Sequence, residues 1–180
     1  MIHILLADGF EEIEALATLD VLRRCGLLVN TISITGTRLV EGAHGIPVMA
    51  DNVFRQTKLA ESEAIILPGG MPGAKNLLGS DGLRKALLAF HEHGGLIAAI
   101  CAAPMVLGQH GLLQGRRATC YPGFEDKLTE AIICTDYVVE DDNIITAKGP
   151  AAAVDFACAI AAHFVTADRI QEVMQGMLYQ

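Results

Sequence analysis

Short apolar runs of strand length alternate along the chain with longer stretches of helical spacing. Ile2 to Ala7 is followed by a helical pattern near Glu11 to Cys25, then by the runs Leu28 to Ile34 and Ala64 to Leu67. This alternation predicts βα units and a parallel sheet. Ile65-Ile66-Leu67 and Leu96 to Ile100 carry no polar alternation, as strands covered on both faces require, and are read as central strands. Thr37 to Asp51 and Tyr137 to Ala147 break into short pieces around Gly42, Gly45 and Glu140-Asp141-Asp142-Asn143. Both are expected as antiparallel hairpins added at the sheet edges. Leu83, Leu87, Leu88 and Phe90 predict a helix over Asp81 to His93 that stops at Gly94-Gly95, and an Ala-rich helix over Ala151 to Val165 opens at Gly149-Pro150.

Composition narrows the class. Of 180 residues, 52% are hydrophobic and 19% charged, which excludes disorder and coiled coil. One domain over residues 1–180 fits, burying roughly 70% of the surface that its unfolded chain would expose. A net charge of −8 without any clustered Lys/Arg run argues against nucleic acid as a partner. The apolar stretches Leu96 to Leu107 and Ala147 to Val165 are interrupted by Pro104 and by Lys148, Pro150, Asp155 and His163, so no membrane span is expected. The first strand begins without a basic leader, and cytoplasmic residence is expected. Five cysteines form an odd set without CxxC spacing and are read as free thiols. Six histidines give no zinc-ligand spacing, and no metal is assigned.

In an open α/β sheet, ligands bind beyond the carboxyl ends of the strands. Leu96 to Ile100 leads directly into Cys101, with Ala102-Ala103-Pro104 opening a helical stretch toward His110. A cysteine at a strand-to-helix junction lies near the positive end of a helix dipole, which favours the thiolate. The small residues permit a nucleophile elbow, although G-x-S-x-G is absent. A buried core cysteine remains the alternative. The loop Leu67 to Lys75 lacks the spacing and the hydroxyl of a Walker A motif. Gly69-Gly70 can instead expose N–H groups to an oxyanion, or form an ordinary tight turn. Glu11, Glu12 and Glu14 stand where the first strand gives way to a helix. Two of these acids are expected to be caps or solvated, and one facing the strand-end crevice would resist ionisation.

FEEIEA, ILPGGMPGAKNL, AAICAAP and ITAKGP, in this order over nearly the whole chain, resemble the ThiJ/PfpI superfamily. The branch is that of the Parkinsonism-associated protein deglycase and the bacterial chaperone YajL. The resemblance implies a flavodoxin-like three-layer α/β/α sandwich with a mostly parallel sheet, usually a homodimer. It implies a reactive Cys101, a protonated Glu14 hydrogen-bonded to its sulfur, and an oxyanion site from the Gly70 and Ala102 N–H groups. The chain departs from the branch twice. Tyr121 stands before Pro122 where the branch often has histidine, so a Cys-His dyad is not carried over. His44 stands in the early hairpin where arginine is common, a pH-dependent anion contact. Gly69, His44, Tyr121 and Cys120 are candidate pocket residues, with Cys120 read as a packed strand residue; Lys75, Tyr121 and Lys148 are assigned no role beyond a pocket rim, and each is read as structural or solvated in preference. The implied function is a cofactor-free glyoxalase or deglycase acting on small α-oxoaldehydes or their protein adducts. The alternative is a redox-responsive, chaperone-like protein that senses oxidation at Cys101; a cysteine hydrolase ranks third.

Overall fold

The structure, a computed structural model, describes residues 1–179. In chain order the elements are β1 (Ile2–Leu6), α1 (Glu12–Arg24), β2 (Val29–Ser33), β3 (Leu39–Glu41), β4 (Pro47–Met49), β5 (Asn52–Val53), β6 (Ala64–Leu67), α2 (Gly73–Leu78) and α3 (Asp81–Glu92). They continue with β7 (Leu96–Ile100), α4 (Pro104–Gln109), β8 (Arg117–Ala118), β9 (Ile132–Ile133), β10 (Val138–Asp141), β11 (Ile144–Ala147), α5 (Ala153–Ala161) and α6 (Ala167–Gly176).

The central sheet has the order β10-β11-β7-β6-β1-β2-β5, parallel except for β10, which pairs antiparallel with β11. Every residue of β1, β6, β7 and β11 is buried, which accounts for the unbroken apolar runs of β6 and β7 and leaves His3 and Thr146 as the polar residues of β1 and β11. Helices α1 and α5 pack on each other, while α2 contacts both α3 and α4. Local chemistry sets the helix ends. The Glu11 carboxylate caps α1 by accepting the Glu14 N–H at 2.7 Å, and Gly26, at φ +90°, ends it.

The hairpin at Tyr137 to Ala147 lies at the sheet edge as expected. The early hairpin does not. Strands β3 and β4 form a separate two-stranded sheet, and the edge beside β2 is taken by β5. Its alternating exposed and buried residues cover only a small apolar face, too little to occupy a sheet edge. The Ala-rich helix also ends earlier than expected, at Ala161, and a separate amphipathic helix, α6, follows. Pro150–Ala152 forms a 3₁₀ turn ahead of α5.

Candidate active site

The chain runs from β1 outward to β2, then crosses back to add β6 on the other side of β1. At this reversal the loops after neighbouring parallel strands diverge and leave a crevice at the carboxyl end of the sheet. The loop after β1 brings Glu11, Glu12 and Glu14 there; the loop after β6 brings Gly69 and Gly70; and β7, next in the sheet, delivers Cys101.

Cys101 has φ +64°, a left-handed conformation that a residue with a Cβ adopts only under constraint. The constraint is visible on both sides of the turn. Its N–H donates to the Ala147 carbonyl at 2.8 Å, and its carbonyl accepts the Tyr121 N–H at 2.8 Å. The residue is 8% exposed. Its sulfur is faced by the Gly70 and Ala102 N–H groups and by the Glu14 side chain. No histidine is among the groups that reach it.

Glu14 is 1% exposed. Its Oε2 accepts the Gly69 N–H at 2.7 Å, whereas Oε1 receives no hydrogen bond. Burial, assisted by the charge of Glu11, pushes its carboxyl up to about 7 against the hydrogen bonds from Cys101 and Gly69. Burial likewise pushes the Cys101 thiol up to about 12, and an ionised Glu14 adds to this, opposed by the Gly70 and Ala102 N–H groups. The expected lowering of this pKa by a helix terminus is thus overturned. Helix α4 is six residues long, and its dipole is outweighed by desolvation and a nearby carboxylate. The two groups titrate as one unit, because two negative charges cannot share a dry pocket.

Gly69 is required by space. A Cβ there would lie 2.7 Å from both the Cys101 Cβ and Glu14 Oε2, and 2.8 Å from the Ile100 carbonyl. Gly70, at φ +86°, passes so close to the first loop that a Cβ would meet the Glu11 nitrogen at 2.4 Å. The Glu11 N–H in turn donates to the Gly69 carbonyl at 2.9 Å, which ties the two loops together.

The remaining acids divide differently from expectation. Glu11 is a cap, but Glu12 neither caps nor is solvated. It is 5% exposed, and its carboxylate accepts the His44 N–H at 2.7 Å through Oε1 and meets His44 Nδ1 at 2.7 Å through Oε2. His44 therefore fastens the early hairpin to α1 and makes no contact with the thiol. Nothing in the E-E-x-E spacing distinguishes a tie from a solvated acid, so this pairing was not readable. Glu11, Glu12 and His44 place three donor atoms within 4.8 Å of one another, but the Glu12 and His44 donors are engaged with each other and Glu11 Oε2 caps α1. Cys120 is packed as expected, though outside any strand, and burial pushes its thiol up to about 11. Tyr121 is 47% exposed, its ring against Gly149. Gly69, Gly70, Ala102 and Glu14 converge on Cys101; His44 does not. No helix is long and apolar enough to cross a membrane among the described residues.

Residues 1–163 match the model of the DJ-1/PfpI family. Drosophila melanogaster protein dj-1beta is 38% identical over 178 residues, 97% of this chain and 95% of its own. The Caenorhabditis elegans glutathione-independent glyoxalase DJR-1.2 is 39% identical over 155 residues, covering 85% of this chain and 82% of its own. Among solved structures, oxidized Toxoplasma gondii DJ-1 has a TM-score of 0.94 at 35% identity, over 99% of this chain and 97% of its own. A DJ-1 superfamily protein from Salmonella typhimurium, solved as a cysteine-to-alanine mutant, has a TM-score of 0.95 at 35% identity, over 99% of this chain and 98% of its own.

Proposed function

The chain belongs to the DJ-1/PfpI family, and from that premise we propose that it is a cofactor-independent glyoxalase or deglycase acting on small α-oxoaldehydes, free or as adducts with protein amines. The observation that carries the reading is the buried Glu14 carboxyl, raised to about 7 and set against the sulfur of a Cys101 held in a left-handed turn. Glu14 Oε1 receives no donor, whereas the sulfur is faced by the Gly70 and Ala102 N–H groups. With the thiol pushed up to about 12 and the carboxyl to about 7, the proton of the singly protonated pair rests on sulfur, and the reactive form arises when it passes to Glu14 while the N–H groups facing the sulfur stabilise the charge left there.

The thiolate adds to the aldehyde carbon: the S–C bond forms, the carbonyl electron pair moves to oxygen, and that oxygen takes the Glu14 proton. The Gly70 and Ala102 N–H groups, which face the free sulfur, stabilise the developing oxyanion. The Glu14 carboxylate then removes the C1 hydrogen as a proton and returns it to C2 through an enediol, which converts the hemithioacetal to a thioester. Water hydrolyses the thioester and restores the thiol. Methylglyoxal plus water becomes lactate, the aldehyde carbon oxidised and the ketone carbon reduced, without an external redox partner. The test is lactate formation from methylglyoxal without glutathione, measured for the wild type beside Cys101→Ala. Turnover that survives the substitution overturns the proposal.

A second reading, redox sensing with a protective or chaperone-like output, is favoured by the oxidized state of the Toxoplasma relative. Here the thiolate attacks peroxide, an S–O bond forms as O–O breaks, and a second equivalent takes sulfenic to sulfinic acid. For both readings we propose a homodimer in the cytoplasm. Support comes from Ile13, Leu39, Ile46 and Met49, large apolar side chains exposed on α1 and the early hairpin.

A further inference from the structure

At the carboxyl ends of β7 and β11 lies a cleft of about 260 Å³, lined by Tyr121, Pro122, Tyr137, Lys148 and the turn from Gly149 to Ala151. Both of its rims are fastened to the elbow. The Cys101 N–H holds the carbonyl of Ala147, the residue before Lys148, and the Cys101 carbonyl holds the N–H of Tyr121. Lys148 Nζ stands 5.6 Å from the centroid of the Tyr137 ring, and its backbone N–H donates to the Tyr137 carbonyl at 3.0 Å. No carboxylate pairs with this lysine among the described residues. The acids of the neighbouring loop are engaged elsewhere: Glu125 accepts the Gly123 N–H at 2.7 Å, and Asp126 pairs with Lys127 at 2.5 Å. An unpaired, half-buried cation between two tyrosines is notable in a chain of net charge −8.

We infer that this cleft is an anion subsite beside Cys101, in which Lys148 receives the carboxylate of an acidic α-oxoaldehyde while the aldehyde meets the sulfur. The aldehyde half of this statement rests on the proposed function; the anion half rests on the cleft alone. A single ammonium acts as a point charge and matches a monoanion, with the Tyr121 and Tyr137 hydroxyls available as further donors. A phosphate dianion would call for a second cation, and the cleft supplies none. The volume suits a ligand of a few carbon atoms.

The test compares alkylation of Cys101 by iodoacetate and by iodoacetamide, reagents that differ in charge and share a leaving group. The ratio of the two rates at Cys101, followed by peptide mapping, is expected to fall about tenfold in Lys148→Met through loss of local electrostatic attraction. It should stay unchanged in Lys85→Met, on the exposed face of α3. An unchanged ratio in Lys148→Met, or an equal fall in both variants, overturns the subsite. Protection of wild-type Cys101 by acetate is expected to exceed that by inorganic phosphate; the reverse order overturns the carboxylate assignment. Turnover supplies the second readout. Lys148→Met should raise KM for dioxovalerate, an α-oxoaldehyde with a terminal carboxylate, and leave KM for methylglyoxal within about twofold. If the wild type turns over neither compound, the glyoxalase reading fails, while the alkylation ratio still decides the subsite.

Discussion

The Glu14 carboxyl, on the first helix, faces the Cys101 sulfur at the end of β7, and its Oε2 accepts the Gly69 N–H at 2.7 Å. One acid therefore touches two strand-end loops, and its protonation governs the charge available to the sulfur. If Glu14 donates its proton to a thiolate, Glu14→Leu removes a charge-assisted hydrogen bond worth roughly 1.5–3 kcal/mol, and the thiol pKa rises by about one to two units. If Glu14 instead ionises beside a neutral thiol, the same substitution lowers that pKa. Thiolate absorbance followed against pH in a variant retaining only Cys101 distinguishes the two, and a fall would remove the proposed proton donor.

Stability should also report on Glu14. Its folded pKa, about 7, lies above the ordinary carboxylate value of 4.5, so the folded state binds more protons than the unfolded one between these limits. The protein should therefore be most stable, as far as this group is concerned, below the unfolded pKa, and lose stability as pH rises toward 7. At 1.36 kcal/mol per unit the loss is on the order of 3 kcal/mol. Urea denaturation at a series of pH values, wild type against Glu14→Gln, measures it; parallel curves would show that Glu14 is not the protonated acid.

Gly69→Ala drives a methyl group into Cys101, Glu14 and the Ile100 carbonyl at once. Since two of its contacts are reacting groups and the third is backbone, it should cost about 1–3 kcal/mol and abolish most turnover. Gly69 does not lie at a positive φ, so its cost is collision; Gly36→Ala, at φ +92° with nothing near its added Cβ, is the converse case of backbone strain without collision. Equal effects of the two substitutions on Cys101 alkylation would mean that the close approach is unimportant.

His44 should titrate above its ordinary value because Glu12 accepts its hydrogen bond. Glu12 is held below the usual carboxylate range by the same contact, despite its burial. The tie is accordingly strongest between these two titrations and loosens as pH rises through the elevated His44 pKa. Proton NMR of the His44 ring should show that pKa dropping toward 6.5 in Glu12→Gln; an unshifted value would mean that the pair does not persist in solution.

Sedimentation at micromolar concentration should give a dimer, with Met49→Glu and Ile13→Glu shifting it toward monomer. A monomeric wild type would leave the Cys101 chemistry intact and remove the assembly.

The sheet and the elbow were legible because each is written locally. Unbroken apolar runs mark β6 and β7, and a cysteine following such a run has to lie at a carboxyl edge. Glu14 was legible only through resemblance, since choosing it over Glu11 and Glu12 depends on which face of α1 turns to the loop after β6. The early hairpin was misplaced because its strands are three residues each, and so short a pattern does not say whether the partner is the main sheet or itself. Helix α6 escaped because its three buried or half-buried apolar residues, Ile170, Val173 and Met174, follow closely on the Ala-rich run and blur its end. Lys148 carried no signal at all: its interest comes from the two tyrosines that the fold sets around it.

The left-handed turn at Cys101 has an evolutionary reading. At φ +64°, glycine would sit without penalty where any other residue costs on the order of 1 kcal/mol. Cys101→Gly should consequently melt higher than Cys101→Ala, despite losing more side chain. A position whose folding preference points to glycine, occupied by a thiol, has been held there by selection for what the sulfur does, at the expense of what the backbone would choose.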